Sequence, residues 1–465
     1  MNPLCTHTAT ELARMVAAGD VSSREVVEAH LARIDAVNGA VNAVTIALAE
    51  SALAAADAAD AARGAEGNGP LHGVPFTIKE NIDCVGSPTT QGVPALADFM
   101  PERDAAVVAR MKRAGGIPLA RTNLPEMGVR IDTDNPLRGR TRNPWHGALT
   151  PGGSSGGEAA ALGTGMTPIG IGNDIGGSLR NPAYCCGIAS LKPTVGRIPL
   201  AAVNSGEYGG MSMALLTDGP MARSVADLRL GLRVMAGRDI IDPQSVDSPL
   251  EGAVPEQPRA ALVTAIPGCE LPSVTVEEIR RAGRLLADSG WRVEEAQPPE
   301  LDRVNEIWGA VLVIDMAVGF ADLKAVVKAA TAAYIARLQD HFAPLTRPNA
   351  MVHTERARLR ARWSAFLADY TVAIGPTWTS LPFPCDADLD PDTGTEMFLR
   401  TLKFITPGNV LGIPALALPT GVSDGLPTGI QVYADLYRED LCLLAAEIIE
   451  RGCAMPTPIE PVPFA

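Results

Sequence analysis

The chain has 465 residues and a formal net charge of −14. Hydrophobic residues make up 46% and charged residues 20%, a globular mix with enough apolar material for a large core, which excludes a disordered chain. The acidic balance speaks against nucleic acid or an anionic membrane as partner, since both require basic surface.

No run of about 18 apolar residues is present, so no membrane span is expected. The opening MNPLCTHTATELARM lacks a basic segment followed by an apolar one, so no secretory signal is expected either. Eight cysteines are scattered without a C-x-x-C pair. In a chain of this size they read as free thiols, and the cytoplasm is the expected compartment.

In chain order, residues 8–37 predict two amphipathic helices, the first capped by Thr10 and the second by a box of Ser22 and Glu25. Residues 46–65 are alanine-rich and helical, and Gly67-Asn68-Gly69-Pro70 breaks them. Val74 to Ile78 predicts a short strand that delivers Lys79 to its end. VVARMKRAGG reads as a helix and GIPLART as a strand. Residues 219–237 predict a helix with Ser224 and Asp227 at capping-box spacing. A strand begins in 258–265, 273–298 give a helix and a strand, and 300–370 are mostly helical with Trp308, Val311, Ile314 and Met316 on apolar faces. Proline and acidic residues in 381–393 predict a surface loop. TPGNVLGIPALALPTGVSDGLPTGIQVYA predicts a buried helix and two strands joined by a turn. The alternation indicates one continuous α/β domain with a helical elaboration in its second half.

Chemistry concentrates in Gly152 to Ser178, where ten of the first 26 residues are glycine and Ser154, Ser155 and Ser178 carry hydroxyls. Glycine at this density marks backbone with unusual dihedrals or close approach to a ligand. Gly152 to Gly156 matches G-x-S-x-G, but that elbow needs a histidine downstream. Only His341 and His353 follow, both in surface-like segments. GIGNDIGG lacks dinucleotide-binding spacing, no P-loop lysine follows GGSSGG, and no clustered metal ligands are evident. His72 and His146 read as structural. A lysine base remains: desolvation lowers a lysine's pKa until its amine accepts protons near neutrality. Lys79 follows the apolar run Val74 to Ile78, although by itself it reads more readily as an exposed lysine balanced by Glu80.

Taken together, Lys79-Glu80-Asn81, Thr150 to Gly157, Asp174 to Ala183 and Leu191 to Arg197 (with Ser190 in place of a glycine) resemble the amidase signature family. LHGVPFTIKENID, ARTNLPEMG, RNPW and DGPMARSVADL fit as well, and 300–400 is the least family-like part. The resemblance implies a single large α/β domain, its central mixed, twisted β-sheet covered by helices on both faces. It implies a catalytic core at 65–230 and a variable helical specificity region at 300–400. It also implies Ser178 as nucleophile, Ser154 as bridging serine after a cis Gly153–Ser154 peptide, and Lys79 as terminal base. The N–H groups of Ile175, Gly176, Gly177 and Ser178 would form the oxyanion hole, and Gly128 would contact substrate. Ser155 would buttress the site by hydrogen bonding, and Asp174 and Arg180 would fix the loop.

Two residues depart from the family's pattern, Asn173 for the usual Thr or Ser and Cys185 for an aromatic, and neither is expected to touch the triad. The implied reaction needs no cofactor or metal: a small neutral aryl or aliphatic carboxamide becomes carboxylate and amine. Selectivity is expected from 127–132, the loop 201–216 and the helical region, which supply Tyr208, Met211, Met213, Trp308, Phe342, Trp363 and Trp378, although each of these residues taken singly reads as core packing rather than pocket lining. The alternative is the glutaminase subunit of a tRNA-dependent amidotransferase, which Glu158 and the acidic balance fit less well. A silent binding protein is disfavoured because all three triad positions are intact. A homodimer stands as the assembly to be tested.

Overall fold

The computed structural model describes residues 1–200, 212–345 and 348–462. Tyr208 and Met211 of the expected specificity loop, and the Met316 side chain, lie outside the described residues.

Among the described residues, eleven strands form one sheet: β1 (Val44–Ala47), β2 (Pro75–Lys79), β3 (Ile117–Thr122), β4 (Ile169–Asp174), β5 (Ala189–Lys192), β6 (Thr217–Ala222), β7 (Arg259–Leu262), β8 (Arg292–Glu295), β9 (Val372–Pro376), β10 (Ala415–Ser423) and β11 (Leu426–Tyr433). Their spatial order is β1-β3-β2-β4-β6-β5-β10-β11-β9-β7-β8. The sheet is mixed: β2 runs parallel to β3 and β4, and β7 to β8 and β9, while β4/β6, β5/β6, β5/β10 and β10/β11 are antiparallel.

The two-residue period of a strand divides the core. Phe76 and Ile78 of β2, Ile169 and Ile171 of β4, Leu416 and Leu418 of β10 and Ile430 and Val432 of β11 share one apolar cluster. There they meet Leu228 and Leu232 of the helix Val225–Met235 and Leu441 and Ile449 of Glu439–Arg451. Ala373, Ala415 and Tyr433 fall into a second cluster with the helices of 300–400, and Ala417 into a third with Gly156–Gly163 and Arg180–Cys186. Helices therefore cover both faces, as the resemblance implies.

Most local signals hold, but the helix expected over 219–237 is only Val225–Met235, because residues 219–222 belong to β6. The box of Ser22 and Glu25 is present. The first helix, however, is capped by Thr8 with Glu11, because the Thr10 N–H and hydroxyl donate to the distant Asp227 carboxylate at 2.9 and 2.7 Å. Asp227 is thereby drawn away from a box with Ser224, which still caps its helix through the Asp227 N–H. The segment 381–393 is more than a surface loop: it holds a short 3-10 turn, Ala387–Leu389, and Asp388 is fully buried.

Candidate active site

β2 ends on Lys79, which is 0% exposed. The reading of an exposed lysine balanced by Glu80 is overturned, since Glu80 is bound instead by Thr90 Oγ1 at 2.6 Å and Arg138 at 2.8 Å. Lys79 Nζ lies 2.7 Å from Ser154 Oγ and 2.7 Å from Asn173 Oδ1. Among the described residues no carboxylate is within hydrogen-bond reach of it. Burial therefore pulls its pKa down from 10.5 to about 7, against the longer-range pull of Asp174, Asp218 and Glu158.

Asn173 departs from its expected place, for it touches the lysine directly. Its amide exchanges hydrogen bonds with Asn81, whose Oδ1 accepts from Asn173 Nδ2 at 3.1 Å. That pairing presents the Asn173 carbonyl oxygen to Lys79. A neutral amine that donates to this oxygen keeps its lone pair for Ser154.

Two buried carboxyls complete the surroundings of the lysine. Glu158 accepts from Thr77 Oγ1 on β2 and from Thr122 Oγ1 on β3; burial pushes it up to about 7 despite these donors. Asp218 stands opposite Asn173 in the β4–β6 register, and burial raises it to about 7 against the pull of Lys79. Neither residue is singled out as a site residue by the sequence, because their proximity to Lys79 depends on how the helix Gly156–Gly163 and β6 pack around β2 and β4.

The Gly153–Ser154 peptide is cis, as the resemblance implies. Ser154 and Ser178 lie on separate loops joined by a bond from the Ser155 N–H to the Ser178 carbonyl at 3.3 Å. The hydrogen bond by which Ser155 buttresses the site is thus made by its backbone; among the described residues its buried Oγ has no hydrogen-bond partner. Ser178 keeps 7% exposure.

The loop that carries Ser178 is held by Asp174. Its carboxylate accepts from the Gly177 N–H at 2.7 Å, the Leu179 N–H at 3.2 Å and Arg180 Nε at 3.0 Å. Burial alone would raise this carboxyl; Arg180, Lys192 and Asn409 outweigh it and hold it at about 2. Arg180 in turn donates to Gln431 Oε1 and to the Ile405 carbonyl. Asp174 and Arg180 have the expected loop-fixing geometry, but the Gly177 N–H is occupied by it. Among the described residues, the Ile175, Gly176 and Ser178 N–H groups have no protein acceptor.

Gly128 sits beside the bridging position: with φ +68°, a Cβ there would lie 3.3 Å from Ser154 Oγ. Met127, Gly128 and Val129 are half-buried, as is Ile175. None of these four rim residues is charged, and Arg130 beside them is buried and bound to Asp388 Oδ2 at 2.9 Å and Asp386 Oδ1 at 2.9 Å. Asp132, Asp386 and Asp388, whose carboxylate oxygens gather within 4.8 Å, are all paired with Arg130 or Arg140. The buried Glu126 accepts from the Lys328 N–H and Thr331 Oγ1 at the start of the helix Ala329–Phe342, and Lys328 Nζ pairs with Asp134 at 2.7 Å. The helical region is therefore fastened to the rim at several points.

The expected specificity aromatics are largely core. Trp363 and Trp378 are fully buried and donate to the Pro299 carbonyl and to Asn181 Oδ1. Phe342 packs on Trp308. His341, His353 and His146 are exposed, and His72 bonds the Ala59 carbonyl, so the elbow reading of Ser154 finds no histidine in place. Cys185 and Cys186 are buried, and all eight cysteines are free.

A family model described as Amidase matches residues 25–443. The chain is 40% identical over 457 residues to an indoleacetamide hydrolase of Bradyrhizobium diazoefficiens, covering 96% of this chain and 87% of that one. It is 34% identical over 461 residues to an acylamidase of Rhodococcus erythropolis, covering 95% and 94%. Among solved structures, 6-aminohexanoate cyclic dimer hydrolase complexed with substrate superposes with a TM-score of 0.84 at 28% identity, covering 97% and 98% of the two chains.

Proposed function

Because the chain belongs to the amidase family and is an amide-hydrolysing enzyme, we propose that Ser178, Ser154 and Lys79 carry its reaction as nucleophile, proton bridge and terminal base. The observation that bears most weight is the 2.7 Å contact between Ser154 Oγ and a wholly buried Lys79. Ser178 Oγ bonds to the amide carbonyl carbon; its proton passes to Ser154 Oγ, and that of Ser154 to Lys79 Nζ. On collapse the C–N bond breaks, and the proton returns along the relay to the leaving nitrogen. Water then attacks the acyl-enzyme, its proton enters the same relay, and Ser178 recovers its hydrogen as the carboxylic acid leaves. Backbone N–H groups of the Ile175–Ser178 loop stabilise the oxyanion, with Gly177 the weakest contributor because Asp174 holds its N–H. This chemistry needs no cofactor or metal.

The substrate proposed is a small neutral carboxamide bearing an aryl or apolar acyl group. The uncharged rim at Met127–Val129 and Ile175 supports this, as does the extent of likeness to an indoleacetamide hydrolase. We assign 65–230 as the catalytic core, with Gly128 at the substrate, and 300–400 as the specificity region. Among the described residues no helix is long and apolar enough to cross a membrane. The eight free cysteines support the cytoplasm as compartment, and sedimentation is the test for a homodimer.

Hydrolysis of indole-3-acetamide, with glutamine as the control, is the deciding assay. Ser178→Ala should abolish ammonia release, and mass spectrometry of the unaltered enzyme with a slow aryl ester should find the acyl group on Ser178. Lys79→Ala should lower kcat by about 10³-fold. A hydrolytic Ser178→Ala enzyme would sink the assignment, and preferential glutamine hydrolysis would sink the substrate class.

A further inference from the structure

The oxyanion loop is gripped from outside by two side chains. Trp308 Nε1 donates to the Ile175 carbonyl at 3.1 Å, and Asn181 Nδ2 donates to the Gly176 carbonyl at 3.2 Å. In a planar trans peptide the C=O and the following N–H point in opposite directions. The grip on the Gly176 carbonyl therefore turns the Gly177 N–H away from Asn181, and it meets Asp174 Oδ1 at 2.7 Å. By the same logic, the grip on the Ile175 carbonyl turns the Gly176 N–H away from Trp308. That N–H meets no protein acceptor among the described residues.

Trp308 is held firmly enough to do this. It is 4% exposed, with Phe342 and Phe398 at ring-centroid distances of 6.2 and 5.9 Å. One turn earlier on its helix, Leu301–Val326, Asn305 donates to the Lys403 carbonyl at 3.1 Å and accepts from Thr406 Oγ1 at 2.9 Å. The indole also lies flush against the loop: a Cβ on Gly176 would come within 2.8 Å of Trp308 Cζ2. Glycine at 176 and tryptophan at 308 are thus matched in shape as well as by the hydrogen bond.

We infer that Trp308 is a positioning residue for the oxyanion hole, its indole N–H setting the Ile175–Gly176 peptide so that the Gly176 N–H faces the developing oxyanion. The helical region then completes the catalytic machinery in addition to shaping the acyl pocket. The inference rests on the acyl-transfer reading given above. Trp308→Phe, which deletes the donor and keeps a ring, should lower kcat about tenfold, a part of the 10²–10³-fold cost of losing a direct donor. KM should stay within about twofold, and the acid limb of the pH profile should not move, because the Lys79–Ser154 contact is untouched.

Site-specific replacement of Trp308 by 3-benzothienylalanine, which keeps the bicyclic shape without the N–H, should give the same kcat loss at an unchanged melting temperature. An arylboronic acid that forms a tetrahedral adduct on Ser178 should weaken in parallel. Full kcat in the benzothienyl variant, or unchanged boronate affinity, would overturn the role of Trp308. A boronate that does not bond Ser178 in the unaltered enzyme would instead overturn the acyl-transfer reading.

Discussion

Two neighbours on β4 serve opposite electrostatic ends. Asn173 turns a neutral carbonyl oxygen to Lys79 at 2.7 Å, while Asp174, the next residue, spends a full charge on Arg180 and on the backbone of the Ser178 loop. Successive strand side chains leave on opposite sides, so one step along the chain separates the two environments. The base needs a partner that orients it without favouring its charged form. The loop needs a partner whose charge is fixed at every working pH. The difference shows why a single carboxylate cannot serve both: next to Lys79 it would hold the ammonium, and next to Arg180 an amide would leave a guanidinium unpaired.

The largest expected effect comes from removing the charge at the loop. Asp174→Asn leaves Arg180 buried without its counter-ion and should cost about 3–5 kcal/mol of stability, seen as a lower urea midpoint together with lost turnover. A variant that stays stable and active would erase the distinction between the two regions. The next effect comes from adding charge at the relay. Asn173→Asp places a carboxylate against Lys79 and raises its pKa above the present value of about 7. Since the neutral amine is the active form, the acid limb should shift to higher pH and kcat at pH 7 should fall about tenfold or more, with little change well above that limb.

The smallest effect sharpens the comparison by removing distant charge. Glu158 and Asp218 raise the Lys79 pKa through space, so Glu158→Gln or Asp218→Asn should move the acid limb modestly to lower pH. A shift to higher pH would reverse the assigned sign. In the unaltered enzyme, activity should rise with pH through about 7, measured with a substrate whose chemistry limits the rate.

Much of this was legible in the sequence. The strand delivering Lys79, the box at Ser22 and Glu25 and the C-terminal strand pair follow from period and turn chemistry, and the spaced motifs point to Lys79, Ser154 and Ser178. What escaped depends on contacts distant in the chain. Thr10 loses its capping place to a carboxylate 217 residues away. Asn173 stood out as a departure, but its contact with Lys79 follows from how β2 and β4 lie together. Trp363 and Trp378 sit in segments expected to set selectivity, yet singly each reads as core packing, and both are fully buried.

The fastening of the rim bears on how this scaffold could be re-engineered. Glu126 and Asp134 on one side, and Lys328 and Thr331 on the other, work as a socket, and Arg130 with Asp388 forms a second. A chimera that imports a foreign 300–400 cassette keeps its catalytic mouth only if the cassette brings the mating halves of both sockets. Variation elsewhere in the cassette is then free to reshape what the enzyme accepts.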